Sequence, residues 1–148
     1  MRVRGDAVTA LYLAGASKEL PLCETLRDRL TAAGHTVTRN WMADVRANEH
    51  RPDSDISKAE RAAFARADLE GVAACNVFWL VTPEGSSIGA WVELGYALRR
   101  AEESKFNPVI VVSGPWRSIF GDLADYAFAT HEDAFTFLCG EITGEARQ

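Results

Sequence analysis

The sequence predicts an α/β protein: a flavodoxin-like (Rossmann-like) doubly wound sheet of five parallel strands in the order 2-1-3-4-5, with helices on both faces. Three observations predict it. Apolar, β-prone runs alternate with segments of helical periodicity along the whole chain. The runs Ala7–Ala14 and Val77–Val81 are continuously apolar, as strands covered on both faces are. A length of 148 residues suits one domain, read over residues 1–148, with a core large enough to need no disulfide or metal staple.

Each element follows from its residues. The first run stops at Gly15. Ser17 is a candidate cap for the next helix, which tolerates Pro21 in its first turn and carries Leu22, Leu26, Leu30 and Ala33 at helical spacing before Gly34. His35-Thr36-Val37-Thr38 is a short second strand, followed by Trp41 in a loop and a polar stretch from Asn48 to Asp55. Ser57-Lys58-Ala59-Glu60 has the pattern of a capping box and opens an Ala-rich helix to about Leu69. After the third strand, Thr82–Ser87 forms a loop, and Ile88, Trp91, Leu94 and Leu98 recur as on a helix. Pro108–Gly114 contains the fourth strand. A short helix over Ser118–Ala124, a fifth strand at Tyr126–Ala129 and a helix capped from Thr130 complete the chain.

Composition narrows the function. The chain is 47% hydrophobic and 25% charged, ordinary values for a globular protein. The net charge of −5 argues against a nucleic-acid partner, because counterion displacement needs a basic face. No run is long enough for a membrane span, and no convincing signal-peptide cleavage site follows Met1–Asp6. Cys23, Cys75 and Cys139 are odd in number and far apart, which fits reduced thiols in a cytoplasmic protein. His35, His50 and His131 are isolated, so neither a metal site nor a cofactor is expected.

In the predicted strand order the sheet reverses between the first and third strands, and ligands bind beyond the carboxyl ends there. Two loops occupy that place. Gly15-Ala16-Ser17-Lys18 opens a helix and offers backbone N–H groups, a hydroxyl and one cation. Gly85-Ser86-Ser87-Ile88-Gly89 does the same before the helix that carries Glu93. A glutamate on a helix is ordinarily a solvated residue, yet Trp91, Val92, Leu94 and Gly95 around it make a solvated position uncomfortable.

The segments Asp68-Leu69-Glu70-Gly71-Val72, Val77–Thr82 and Ser87-Ile88-Gly89-Ala90-Trp91-Val92-Glu93-Leu94-Gly95-Tyr96-Ala97, with Leu11-Tyr12-Leu13-Ala14-Gly15, resemble the nucleoside 2-deoxyribosyltransferase superfamily in order over about Val8–Ser113. The resemblance implies that Glu93 is a nucleophile toward an anomeric carbon and that Asp68 is a proton donor or a base-orienting group. Base-exchanging members have an aspartate six residues before the nucleophile. Ser87 stands there, as in the branch that hydrolyses 2'-deoxynucleoside 5'-monophosphates. That branch's pattern implies phosphate contacts from Ser87 and Gly89, from Lys18 near the position of a phosphate-binding arginine, and from Ser118 across a homodimer interface; Gly15 and Ser17 of the first loop are candidate substrate contacts beside Lys18. Trp41 lies where relatives contact the base, and is equally readable as a core residue.

The reaction so implied is cleavage of a nucleotide N-glycosidic bond. A deoxyribosyltransferase acting on nucleosides, a TIR-like NAD hydrolase and a non-catalytic nucleotide-binding sensor are the competing readings. All share a nucleotide or nucleoside as the small-molecule partner.

Overall fold

Strands β1 (Ala10–Ala14), β2 (Thr36–Val37), β3 (Val77–Val81), β4 (Val109–Ser113) and β5 (Tyr126–Phe128) pair in parallel in the order β2-β1-β3-β4-β5. The expected doubly wound sheet is therefore the one observed. The structure is a computed structural model and describes residues 9–85, 87–105, 107–115 and 118–140. The expected strand start at Ala7 and Val8, Ser86 of the second loop, and Trp116 lie outside these residues.

Period-two alternation sorts the strand side chains into two cores. Leu11, Leu13, Val77, Trp79, Val81, Val109 and Val111 face α1 (Leu20–Ala32) and α5 (His131–Gly140), meeting Leu26, Leu30, Phe137 and Leu138. Tyr12, Ala14, Phe78, Leu80, Ile110 and Val112 face the opposite way, toward α2 (Trp41–Asn48), α3 (Lys58–Ala74) and α4 (Ile88–Glu103). β1 and β3 are apolar throughout because both their faces are covered. In-register pairing sets Tyr12 beside Phe78, and their rings stack with centroids 5.7 Å apart. On the other face, Trp79 Nε1 donates to Ser113 Oγ (2.8 Å), which also bonds His131 Nδ1 (2.7 Å). That pairing satisfies an indole and a hydroxyl buried in an apolar layer.

The helix boundaries differ from expectation in four places, one of them the short helix expected over Ser118–Ala124, which is only a 3-10 turn at Gly121–Leu123. Ser17 does not cap α1. It enters a 3-10 turn, Ser17–Glu19, and α1 begins at Leu20 with a proline in its first two positions. Proline lacks the N–H that a cap would satisfy, so α1 has less need of a hydroxyl there. Trp41 opens a two-turn helix rather than a loop, with Asn40 Oδ1 accepting from Ala43 N. α3 continues past Leu69 to Ala74. Its capping box forms as expected, Ser57 Oγ accepting from Glu60 N and Glu60 Oε1 from Ser57 N. Thr130 Oγ1 likewise accepts from Asp133 N at the start of α5. Among the described residues no helix is long and apolar enough to cross a membrane.

Candidate active site

The two loops chosen from topology line one cavity of about 600 Å³, on the α2–α3–α4 side of the sheet. Its lining includes Gly15, Ser17, Lys18, Trp41, Asp68, Ser87, Gly89 and Glu93. Eight of the nine residues singled out from sequence thus meet in one place. Ser118 is the ninth: it is not among the lining residues, and its Oγ accepts from Phe120 N (3.2 Å) in a local turn.

Each part is positioned by local chemistry. Gly15 ends β1 against α1, where a Cβ would lie 2.6 Å from Cys23 Sγ. Only glycine lets the chain pass so close to that helix. Ser17 and Lys18 then stand exposed at the cavity rim. Ser87 precedes α4 in extended conformation but makes no side-chain cap bond, so its hydroxyl is not committed to the helix. The first-turn N–H groups of α4 have no intrahelical partner and add the positive end of the helix dipole.

Glu93 lies in the second turn of α4, between the buried Ala90 and Leu94 on one side and the cavity on the other. Burial drives its carboxyl well above the ordinary range, to about 8; the charge of Asp68 adds to this, while Tyr12 and Arg39 oppose it. Tyr12 reaches this carboxyl from β1. Its ring is fully buried, and burial and the charges of Glu93 and Asp68 hold its phenol strongly protonated. Among the described residues the Tyr12 hydroxyl has no well-formed hydrogen bond. It is a donor held beside an acceptor, with the bond not closed.

Asp68, on α3, is fixed by Arg39 at the end of β2: Arg39 Nε donates to Asp68 Oδ1 (2.9 Å) and Arg39 Nη2 to Asp44 Oδ2 (2.5 Å). Burial pushes the Asp68 carboxyl up, and its bond to Arg39 pulls it down. Further along the wall, Arg51 pairs with Glu60 (3.0 Å) and donates to Asn48 Oδ1 and Asp55 O, bracing the segment between α2 and α3. Both lining guanidiniums are therefore engaged with carboxylates. Lys18 is the lining cation without an ion pair among the described residues.

Tyr12, Arg39 and Arg51 were not singled out from the sequence. Tyr12 sits inside an apolar run and reads as core, and its ring is core; only the hydroxyl belongs to the site. Arg39 had a usable signal, because it follows β2 at the carboxyl edge where ligands bind.

Trp41 is first of all a core residue. It is buried, and its Nε1 donates to Leu13 O (2.8 Å), tying α2 to β1. It forms cavity wall through what remains of its surface.

Gly71 shows how tightly the site is tied to the fold. A Cβ there would meet Arg39 Cβ at 2.6 Å and the Tyr12 ring at 3.0 Å, while Thr38 Oγ1 donates to Gly71 O (2.8 Å). Neither neighbour is the free end of a flexible side chain. We therefore expect Gly71→Ala to destabilise the fold by about 1–3 kcal/mol through overpacking and to displace both Arg39 and Tyr12. Chemical denaturation together with ligand affinity checks this; wild-type values for both would refute it.

Compared with known proteins, the chain matches no family model and no curated sequence.

Proposed function

We propose that the chain is an N-glycosidase that cleaves a (2'-deoxy)nucleoside 5'-monophosphate to free base and sugar phosphate. The observation that carries this reading is the largely buried Glu93 carboxyl, in one cavity with Asp68, the N-terminus of α4, hydroxyls and one lysine. A carboxylate there attacks the anomeric carbon as the C–N bond breaks, and the departing base takes its proton from water. A water then hydrolyses the glycosyl ester to free sugar phosphate and the Glu93 carboxylate. The phosphate is assigned to Ser17, Lys18, Ser87 and the N–H groups of the two loops, the base to the wall bearing Asp68, Asp44 and Trp41.

Charge makes the phosphate assignment specific. The chain is acidic overall, and Glu93 lies within the same cavity. Attraction for a dianion must come from short-range donors rather than from the protein's long-range field. Ser87 is the test position. Ser87→Asp places a carboxylate where the phosphate is assigned, and like charges in contact cost several kcal/mol. We expect turnover of monophosphates, followed by base release, to fall at least about tenfold relative to the matched nucleosides. Wild-type turnover of nucleosides equal to or better than that of monophosphates would refute the phosphate assignment. Exchange of labelled free base into product would identify a transferase, and release of nicotinamide from NAD would identify an NAD hydrolase.

A second copy of the chain is the partner proposed for α4. Ile88, Val92 and Tyr96 recur every four residues and are all exposed, a one-sided apolar stripe on the helix that carries Glu93. Ile119 and Phe120, beside Ser118, are exposed as well. A dimer built on these surfaces would cover them and is the setting in which Ser118 would reach a neighbouring phosphate.

A further inference from the structure

The guanidinium of Arg39 links three separate elements at the cavity wall. It lies just beyond β2, binds Asp44 of α2 and binds Asp68 of α3. Its side chain is only 18% exposed, against 25% for Asp68 and 39% for Asp44. Two carboxylates thus share one partly buried cation, and the three side chains all line the cavity. A bond from Nε uses the edge of the guanidinium plane, which fixes the carboxylate's orientation as well as its charge. The hydrogen bond falls on Oδ1 of Asp68; Oδ2 accepts none among the described residues.

We infer that Arg39 is a positioning residue that holds Asp68 as an oriented carboxylate, so that Asp68 accepts hydrogen bonds from the leaving base rather than giving it a proton. The inference rests on the glycosidase reading for the word "leaving", and on geometry alone for the state of Asp68. A carboxylate bonded to Arg39 through one oxygen is acceptor-only at the other. It suits a base edge that presents an N–H, as the exocyclic amine of cytosine or adenine does. Remove the guanidinium and Asp68 is left half-buried, facing the Asp44 carboxyl from α2, the Glu93 carboxyl from α4 and the Tyr12 phenol from β1. Burial and the charge of Asp44 then disfavour its ionised form, with no cation left to oppose them. Asp68 then takes up a proton and presents a donor where the base presents one too.

The test uses Arg39→Gln and Arg39→Lys, with two readouts. The first is carbon-13 NMR titration of the Asp68 carboxyl, which needs no substrate. Its midpoint should rise by about one pH unit or more in Arg39→Gln, since an adjacent opposite charge is worth that much, and stay near wild type in Arg39→Lys. The second is steady-state base release from deoxycytidine and deoxyadenosine monophosphates. KM should rise about tenfold or more in Arg39→Gln, the loss expected for a hydrogen bond to a charged group, with kcat changed less and partial rescue in Arg39→Lys. An unmoved Asp68 midpoint overturns the inference, as does an equal fall in kcat and thermal stability without rescue by lysine. If wild-type protein releases no base from any nucleotide, the functional reading fails by itself. The titration then still decides whether Arg39 sets the state of Asp68.

Discussion

Glu93→Gln is expected to lower base release by about 10³-fold or more, because the covalent route is removed while the cavity is kept. The same substitution should make the protein more stable in mild alkali. The Glu93 carboxyl titrates near 8 in the fold and near 4.5 when the chain is unfolded. The folded state therefore holds a proton that the unfolded state has released between these values. Stability linked to Glu93 is fully present below about pH 4.5 and is lost as the pH rises through 8. At pH 9 the native protein carries a buried charge that the glutamine variant lacks, a difference on the order of a few kcal/mol. Melting temperatures of the two proteins should coincide near pH 4 and diverge upward in favour of the variant by pH 9. Parallel curves across that range would refute the burial of this carboxyl.

The same property shapes the activity. A nucleophile must be ionised, so kcat/KM of the wild type should climb with pH through a midpoint near 8, the free-enzyme value of its essential base, and level off above it. The fold thus holds its reactive carboxyl neutral until conditions or a developing positive charge on the sugar draw the proton off. Tyr12 is placed to donate to the charged form when it appears.

Trp41→Ala should cost about 3–5 kcal/mol, the range for truncating a buried aromatic, and lower the melting temperature by on the order of 10 °C. Two losses combine. The indole leaves a cavity beside Met42 and Tyr12 in the core on that face, and Leu13 O loses the donor that ties β1 to α2. Trp41→Phe separates packing from base contact, since it keeps the aromatic face and loses the N–H. If Trp41 is chiefly structural, the phenylalanine variant should retain most of the affinity for nucleotide while remaining measurably less stable. Calorimetric binding beside thermal melts checks both. A stable Ala variant with lost affinity would make Trp41 a ligand platform instead.

How far the sequence reveals all this depends on what each residue does. The strands are readable because β1 and β3 are covered on both faces, which leaves no polar position to confuse the pattern. The carboxyl ends of β1 and β3 then locate the cavity from topology alone. Helix α2 escapes because eight residues give the apolar period little room, although Asn40 three residues before Ala43 is a legible cap. Ser17 misleads because a hydroxyl near a helix start is a cap only if the chain turns directly into the helix, and here a 3-10 turn intervenes. Glu93 is readable as a motif, but its burial is not; that depends on how α4 lies across β1, β3 and β4. Arg39 escapes because an arginine among polar residues looks solvated until its two carboxylate partners, from two successive helices, are seen beside it.

The contact between Gly15 and Cys23 sets how the chain meets oxidants. The Cys23 sulfur fills the space beneath the first loop, and burial pushes its thiol up to about 12, so it is scarcely ever a thiolate. Thiolate is the form that peroxides and disulfides attack. Cys139, by contrast, is exposed on the last turn of α5, with its sulfur 3.6 Å from His35 Nε2 at the opposite end of the sheet. Burial raises the Cys139 thiol as well, so what separates the two is access: the sulfur that oxidants can reach is remote from the cavity, and the loop assigned to the phosphate rests on one that is covered and chemically quiet.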